Sequence, residues 1–221
     1  MIPFRMRTET EMEQYRKDTF WVKEPETIAW IDTFKQGETF YDVGANIGVY
    51  SLYCASKHPD VTVIAFEPQG ENFKALLENR WLNRFKNLHC IPCAIGDYCG
   101  HVLLEVPKSE AGATGAQVGQ RCSMKEGVPI LSIDKIREFD KPDHVKIDID
   151  GQELSVLNGM TETLPFIKSI LVEVSKSTKQ QVMDILFSHG FEESPLNDMT
   201  PHSRWRRLFE KIDAENIIFV R

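Results

Sequence analysis

The sequence predicts an α/β protein with a doubly wound, mostly parallel seven-stranded sheet of the Rossmann-like kind. Four apolar segments rich in β-branched residues each end in Gly, Asp or Pro, and each is followed by a segment with helical periodicity. Strands that are apolar on both sides require helices on both faces of their sheet. The chain has 221 residues, 42% of them hydrophobic, which is enough to bury one sizeable core.

The four strand and helix pairs follow one another along the chain. They are 39–44 with 49–58, 61–68 with 70–83, 144–151 with 152–160, and 169–175 with 178–190. Gly190 is the expected end of the last helix. Further strands are predicted at 88–96, 190–194 and 216–221, which brings the sheet to about seven strands.

The remaining segments are expected to surround this sheet in a single domain over residues 1–221. Residues 1–30 are predicted to form a helical cap, and 107–127 and 197–213 to form loops or lids. The first of these loops is rich in small and turn residues, and a loop of that length in a compact domain is often functional.

Composition and charge exclude several classes of protein. A formal net charge of −7 gives no general attraction to a phosphate backbone, which weighs against a nucleic-acid partner. The N-terminus alternates charges where a secretory signal would be apolar, so we expect a cytoplasmic setting and no membrane span. Cys90 and Cys93 form a C-x-x-C without a second pair, so we favour buried thiols over redox or zinc chemistry.

The stretch FYDVGANIG, residues 40–48, leads from the first strand into the first helix of the sheet. Its G-x-N-x-G differs from a dinucleotide fingerprint, and Asp42 would repel a phosphate but suit a cation. A ligand with a sulfonium and an adenosine therefore fits better than NAD, and S-adenosylmethionine matches that description. Glu67, about 20 residues further on, is placed to accept hydrogen bonds from ribose hydroxyls. The predicted cofactor residues are Asp42, Gly44, Asn46, Gly48, Glu67, Pro68, Ile95 and Asp97.

Several motifs in order resemble one known family. FYDVGANIGVYSLYCA, FEPQGENFKALLENRWLN, AIGD, VPILSID and VKIDIDGQELSVLNGM together resemble the FkbM-type family of S-adenosylmethionine-dependent methyltransferases, in the class I superfamily. The resemblance covers about residues 25–175. It implies a sheet whose last strand is antiparallel, methyl transfer to a hydroxyl, and cofactor contacts from the positions predicted above. Family members often carry Glu at the position of Asp150 and commonly His at that of Gln152.

The end of the strand VKIDID carries the candidate catalytic residues. Methyl transfer requires an acceptor oxygen held in line and a group that takes its proton, and Asp148 is the best placed candidate. Lys146 shares its face of the strand. For Asp150 and Glu153 a D-x-x-E helix capping box is the favoured alternative. A Mg²⁺ held by Asp148 and Glu173 is a further, less favoured alternative to a site without metal.

A basic segment near the C-terminus is the candidate acceptor site. His202, Arg204, Trp205 and Arg206 could stack on and pair with a sugar, an acidic glycan or a lipid head group, although such patches are more often solvated surface. No N-P-P-Y-like motif occurs, which by resemblance disfavours nitrogen as the acceptor. Two alternatives stay open: a protein that binds S-adenosylmethionine without catalysis, and a nicotinamide-dependent oxidoreductase.

Overall fold

A computed structural model of the chain describes residues 2–106, 110–113, 117–118, 124–199 and 214–221. In these residues, helices lie at Glu11–Asp18 (α1), Phe20–Lys23 (α2), Pro25–Ile31 (α3), Val49–Lys57 (α4), Gly70–Asn83 (α5), Glu153–Asn158 (α6) and Lys179–Ser188 (α7). Strands lie at Thr39–Val43 (β1), Thr62–Phe66 (β2), Leu88–Ile91 (β3), Ala94–Ile95 (β4), Gly100–Glu105 (β5), Gln117–Val118 (β6), Lys125–Leu131 (β7), His144–Ile147 (β8), Ser169–Ser175 (β9), Glu192–Glu193 (β10) and Ala214–Val220 (β11). No helix in these ranges has the length and apolar character needed to cross a bilayer.

The main sheet has seven strands in the order β10-β11-β9-β8-β1-β2-β3. Strands β9, β8, β1, β2 and β3 are parallel neighbours, and β11 runs antiparallel to both β9 and β10. This confirms the predicted doubly wound sheet with an antiparallel last strand. The chain leaves β1 towards β3 on one side and returns to β8 on the other, so the crevice at the carboxyl ends of β1 and β8 is the expected ligand site.

Two apolar layers cover the sheet because side chains alternate along each buried strand. Phe40 of β1 belongs to a layer with Trp30, Leu52 and Leu76, so α3, α4 and α5 cover this first face. The second layer joins β1 to α6 and α7 and includes Tyr41, Val43, Val156, Leu157, Val182 and Leu186. By the same alternation, Asp42 and Lys146 project from the first face, beneath α4 and the N-terminal helices.

A second sheet, in the order β4-β7-β5-β6, differs from the sequence prediction. The predicted strand 88–96 is two strands in two sheets: after Ile91 comes Pro92, which cannot donate a ladder hydrogen bond, and the amide of Cys93 turns back to the Ile91 carbonyl at 3.0 Å. The predicted loop 107–127 is wrong at both described strand segments. Residues 125–127 begin β7, which pairs antiparallel with β5, and Gln117–Val118 form β6.

A series of buried hydrogen bonds connects the first residues of β8 and β9 to helix α3. The indole N–H of Trp30 donates to the hydroxyl of Ser169 at 2.7 Å, and that hydroxyl lies 2.7 Å from Nδ1 of His144. Nε2 of His144 contacts the carboxylate of Glu38 at 2.8 Å. Burial lowers the pKa of His144, and a neutral ring that accepts at Nδ1 and donates at Nε2 satisfies every member of this series. His144 therefore has a structural role.

Candidate active site

The loop between β1 and α4 packs tightly against the end of β8. The amides of Gly44 and Ala45 both donate to the Phe66 carbonyl at 3.0 Å, which turns the chain across the end of β2. Gly44 has φ +83°, and a Cβ atom on it would lie 2.1 Å from the Asp148 carbonyl oxygen. Only glycine fits here, because a side chain would meet both backbone strain and a collision.

The carboxylate of Glu67 lies directly beneath this loop. One of its oxygens accepts the amide of Asn46 at 2.8 Å and the other accepts the amide of Gln69 at 2.9 Å. Glu67 is 5% exposed, and burial raises its pKa to about 7, although the two amides, the Asn72 side chain and the charge of Arg16 oppose the rise. The side chain of Asn72 also hydrogen-bonds to this carboxylate, and a carboxylate can accept more than three hydrogen bonds in all.

A cavity of about 360 Å³ opens beside the loop on the second face of the sheet. Its wall is mostly apolar and includes Gly44, Pro68, Ile95, Asp97, Ile149 and Ser155. Asp97 is held in place by Ser155, whose hydroxyl accepts the Asp97 amide at 3.2 Å and donates to its carboxylate at 3.0 Å. The structure thus brings four predicted cofactor residues, Gly44, Pro68, Ile95 and Asp97, to one cavity.

Asp42 occupies a different place from the exposed edge that the sequence suggested. Its carboxylate is 1% exposed and accepts a hydrogen bond from the Ser51 hydroxyl at 2.5 Å. The other carboxylate oxygen, Oδ1, is buried with no hydrogen-bond partner among the described residues. Burial raises the pKa of Asp42, against the opposing charge of Lys146. Gly48 is not among the residues that line the cavity, and a Cβ on it would collide with Leu76.

Lys146 and Asp148 form an ion pair at the rim of the sheet. The ammonium of Lys146 is 1% exposed and donates to Oδ2 of Asp148. Burial alone would lower the pKa of Lys146, but the carboxylates of Asp148, Glu24 and Asp42 outweigh it and raise that pKa. Burial opposes ionisation of Asp148 as well, and Lys146 overcomes it and lowers its pKa.

Glu173, at the adjacent position on β9, completes a cluster of charged groups around Lys146. Its carboxyl is hydrogen-bonded to that of Asp148, and the repulsion by Asp148, together with burial and Glu24, raises the pKa of Glu173. The ring of Tyr50 lies 5.1 Å from the Lys146 ammonium, and its hydroxyl bonds to Glu24. Four carboxyl groups, those of Asp42, Glu24, Asp148 and Glu173, thus surround one buried ammonium.

The helix after β8 begins later than the predicted capping box requires. Helix α6 starts at Glu153 after an N-cap at Gln152 whose side chain makes no capping hydrogen bond, so the assignment of Asp150 as the cap is wrong. Glu153 instead accepts the amide of Gly151 at 2.8 Å. The cause is Gly151, whose φ of +85° interrupts the helix that would follow Asp150. Asp150 and Gln152 line the cavity.

The described residues offer no alternative metal centre. They contain no group of three or more His, Cys, Asp or Glu side chains arranged to hold an ion. At Asp148, one of the carboxylate oxygens that would have to bind Mg²⁺ already accepts a hydrogen bond from the Lys146 ammonium. Cys90 and Cys93 are free thiols, and burial raises their pKa values to about 11 and about 12. Thiols of that kind are poor ligands and poor nucleophiles at neutral pH.

The predicted acceptor residues His202, Arg204, Trp205 and Arg206 lie outside the described residues. The structure adds residues that the sequence pattern missed, above all Glu24, Tyr50 and Ser51 in the charged cluster. Glu24 precedes the first strand by fifteen positions in the N-terminal segment, and no local motif connects it to Lys146. A helical period for α4 does place Tyr50 and Ser51 in its first turn, next to the end of β1.

Comparison with known proteins identifies the family. A family model described as "Methyltransferase FkbM domain" matches residues 42–193. The hexuronic acid methyltransferase AglP of Haloferax volcanii is 31% identical over 148 residues, which cover 65% of this chain and 59% of the relative. The 31-O-demethyl-FK506 methyltransferase FkbM of Streptomyces tacrolimicus is 41% identical over 66 residues, 30% of this chain and 25% of the relative.

Solved structures show the same fold at low sequence identity. The ribosomal protein L11 methylase of Lactobacillus delbrueckii subsp. bulgaricus superimposes with a TM-score of 0.53 at 10% identity, over 89% of this chain and 76% of that one. At this identity the likeness concerns the fold alone. The family match, which covers more than half of the sequence, shows that this chain belongs to the FkbM methyltransferase family.

Proposed function

We propose that the chain is an S-adenosylmethionine-dependent O-methyltransferase that moves a methyl group to a hydroxyl of a small molecule, a sugar or a glycan. The observation that carries the proposal is the position of Gly44. It lines the cavity and also lies directly against the backbone of Asp148. A donor whose adenosine lies in the cavity would therefore need to extend only past Gly44 for its methyl group to reach an acceptor hydroxyl bound at the Asp148 carboxylate.

The residues present fit S-adenosylmethionine. The cavity volume of about 360 Å³ lies within the range of small-molecule sites, and its apolar wall at Pro68, Ile95 and Ile149 suits a purine ring. Asp97 supplies an acceptor for an exocyclic amine. Glu67 lies under the loop next to the cavity, outside its lining, and is our candidate acceptor for the ribose hydroxyls.

The charged cluster suits the positive end of the same ligand. The ammonium groups of the cluster are already paired with carboxylates, Lys146 with Asp148 and Lys23 with Glu24, so the cluster suits a sulfonium better than a pyrophosphate. The unpartnered Oδ1 of Asp42 is consistent with a role beneath the loop. We therefore assign Asp42 to the electrostatics of the site, through Lys146 and Ser51, and not to direct contact with the donor.

The chemistry required of the protein is modest. When bound, S-adenosylmethionine supplies a methyl carbon already activated by a sulfonium. Asp148 would accept the hydrogen bond of the acceptor hydroxyl on Oδ1, orient its oxygen, and take the proton late in the transfer. Lys146 holds Oδ2 and keeps Asp148 ionised. The raised pKa of Glu173 keeps a proton on that carboxyl, so the pair carries one negative charge that Lys146 balances.

The class of acceptor is supported by the relatives. The names of two of them specify a hexuronic acid and an O-demethyl compound as substrates, which favours oxygen as the acceptor here. His202, Arg204, Trp205 and Arg206 remain our candidates for acceptor binding. The alternative is a family member that binds the cofactor without catalysis, and it is favoured only if Asp148 proves dispensable. The family match leaves no support for a nicotinamide oxidoreductase.

Transfer of a radiolabelled methyl group tests the proposal. The protein is incubated with labelled donor and separate acceptors: a uronic acid glycoside, a neutral glycoside and a simple alcohol. Asp148→Asn should lower the turnover number roughly a hundredfold or more and leave binding of S-adenosylhomocysteine, measured by calorimetry, nearly unchanged. Asp140→Asn, on the exposed surface before β8, is the control and should behave as the wild type.

Two results would contradict the assignment. Equal turnover by Asp148→Asn and the wild type would remove Asp148 from the reaction. Failure of the wild type to bind S-adenosylhomocysteine would remove the cofactor assignment altogether.

A further inference from the structure

Residues 110–113, called here the 110–113 turn, lie between helix α1 and the predicted cofactor loop. The segment consists of one glutamate and three small residues, yet Ala111 is 2% exposed and Ala113 is 8% exposed. Ala111 packs into the apolar layer that covers the first face of the sheet. The turn is therefore docked on the protein and is not simply a surface loop.

On its inner side the turn is bonded to the cofactor loop and to α5. The side-chain amide of Asn46 donates to the Ala113 carbonyl at 2.8 Å. Asn72 makes two contacts: its amide donates to the same carbonyl at 3.3 Å, and its oxygen accepts the Gly112 amide at 2.8 Å. Asn46 is also the residue whose backbone amide binds Glu67. The turn thus connects directly to the group that holds the ribose-binding carboxylate.

On its outer side the turn is bonded to α1. The hydroxyl of Thr10 donates to the Ala111 carbonyl at 2.8 Å, and Nε of Arg16 donates to the Gly112 carbonyl at 2.9 Å. Gly112 has φ +88°, and a Cβ on it would lie 3.1 Å from Cβ of Met12. The close approach of the turn to α1 therefore depends on a glycine at this position.

We propose that the 110–113 turn forms the outer wall of the ribose end of the cofactor site, and that it undocks from α1 whenever the cofactor enters or leaves. The proposal rests on the proposed function, because it takes the ligand to be S-adenosylmethionine. Glu67 is 5% exposed, so a ribose that bonds to it must pass the groups that cover it. The docked turn then excludes water from the polar contacts of the bound ligand.

The first test is the rate at which S-adenosylhomocysteine dissociates, measured by stopped-flow displacement. Gly112→Ala places a side chain in a left-handed conformation against Met12, which should weaken docking and speed release roughly five- to thirtyfold. Gly127→Ala is the matched control: it adds the same methyl group on a strand of the second sheet, where nothing lies within 4 Å. It should release the ligand at the wild-type rate.

A second variant keeps the test valid if Gly112→Ala does not fold. Arg16→Lys keeps the positive charge that acts on Glu67 but loses the Nε–H that donates to the turn from a partly exposed position on α1, and it should speed release severalfold. Hydrogen exchange at residues 111–113 reports docking independently of activity: exchange should be slowed by the ligand in the wild type and accelerated in both variants.

The outcomes separate this inference from the function on which it rests. If hydrogen exchange in the turn were accelerated but the ligand dissociated at an unchanged rate, the turn would not be a wall of the cofactor site. The cofactor assignment itself would remain intact. Failure of the wild-type protein to bind S-adenosylhomocysteine would overturn both.

Discussion

Protonation of Glu67 should control both cofactor affinity and stability. Burial raises its pKa from 4.5 to about 7 in the ligand-free protein. In the proposed complex the ionised carboxylate accepts hydrogen bonds from the ribose hydroxyls, so we expect binding to be coupled to loss of the proton. We expect the dissociation constant of S-adenosylhomocysteine to rise about tenfold as the pH falls from about 8 to about 6.

The same pKa fixes the sign of the effect on stability. Between pH 4.5 and about 7 the folded protein holds a proton on Glu67 that the unfolded chain has lost. The free energy of unfolding therefore falls as the pH rises through this window, and the full rise in pKa corresponds to about 3 kcal/mol. The penalty is complete above pH 7 and absent below pH 4.5.

Calorimetry and urea unfolding at several pH values measure the two effects. Glu67→Gln cannot titrate, so its affinity should be weak and independent of pH, and its stability relative to the wild type should increase by about 3 kcal/mol from about pH 4 to about pH 8. Glu192→Gln, on the exposed edge strand, is the control for loss of a surface carboxylate. Parallel stability curves for Glu67→Gln and the wild type, or tight binding by the variant, would refute the assignment.

Two further substitutions test the loop and the series of buried hydrogen bonds. Gly44→Ala should abolish cofactor binding in titrations and lower the free energy of unfolding by about 2 to 5 kcal/mol, because its Cβ would lie 2.1 Å from the Asp148 carbonyl at φ +83°. Ser169→Ala should cost about 3 kcal/mol in urea unfolding, because it leaves Trp30 and His144 without their buried partner.

Each of these substitutions has a matched control. Gly151→Ala introduces the same left-handed strain, at φ +85°, with nothing within 4 Å, so it isolates the contact made at Gly44. A smaller effect at Gly44 than at Gly151 would contradict the close packing. Ser188→Ala removes an exposed hydroxyl and should change stability by no more than about 0.5 kcal/mol. If Ser169→Ala lowered the free energy of unfolding by no more than Ser188→Ala does, the buried hydrogen bonds of Trp30 and His144 would contribute little to stability.

The parts of the fold that follow from local periodicity were predictable from the sequence. Helix α7 illustrates this: its apolar spacing fixed the element, and Gly190 ends it as expected, since the amides of Gly190 and Phe191 bond to the Phe187 and Leu186 carbonyls at 3.0 and 3.1 Å. The sequence analysis did not predict the hairpin of β5 and β7. One reason is that Lys125, Glu126 and Gly127 are not typical strand residues. Their strand conformation comes from pairing with β5, which is tertiary context.

The candidate site divides in the same way. Gly44 and Glu67 follow a strand end each, so their approach follows from the topology of a parallel sheet. The burial of Asp42 does not, because it depends on Ser51 above it and Lys146 beside it. Glu24 belongs to the N-terminal segment and interacts with Lys146. A contact between residues so far apart in the chain cannot be predicted from a local sequence pattern.

The rim of the sheet concentrates features that destabilise a ligand-free fold. A carboxylate at Glu67 is held against its own desolvation. An oxygen of Asp42 is buried with no hydrogen-bond partner among the described residues, and the charge of Asp148 opposes ionisation of Glu173. Net stabilities of domains are only about 5 to 15 kcal/mol, so these terms are a sizeable fraction of the whole. A ligand that binds the folded state alone offsets them in proportion to the logarithm of its concentration over its dissociation constant. If the same groups were fully paired within the protein, they would not be available to bind a donor and an acceptor.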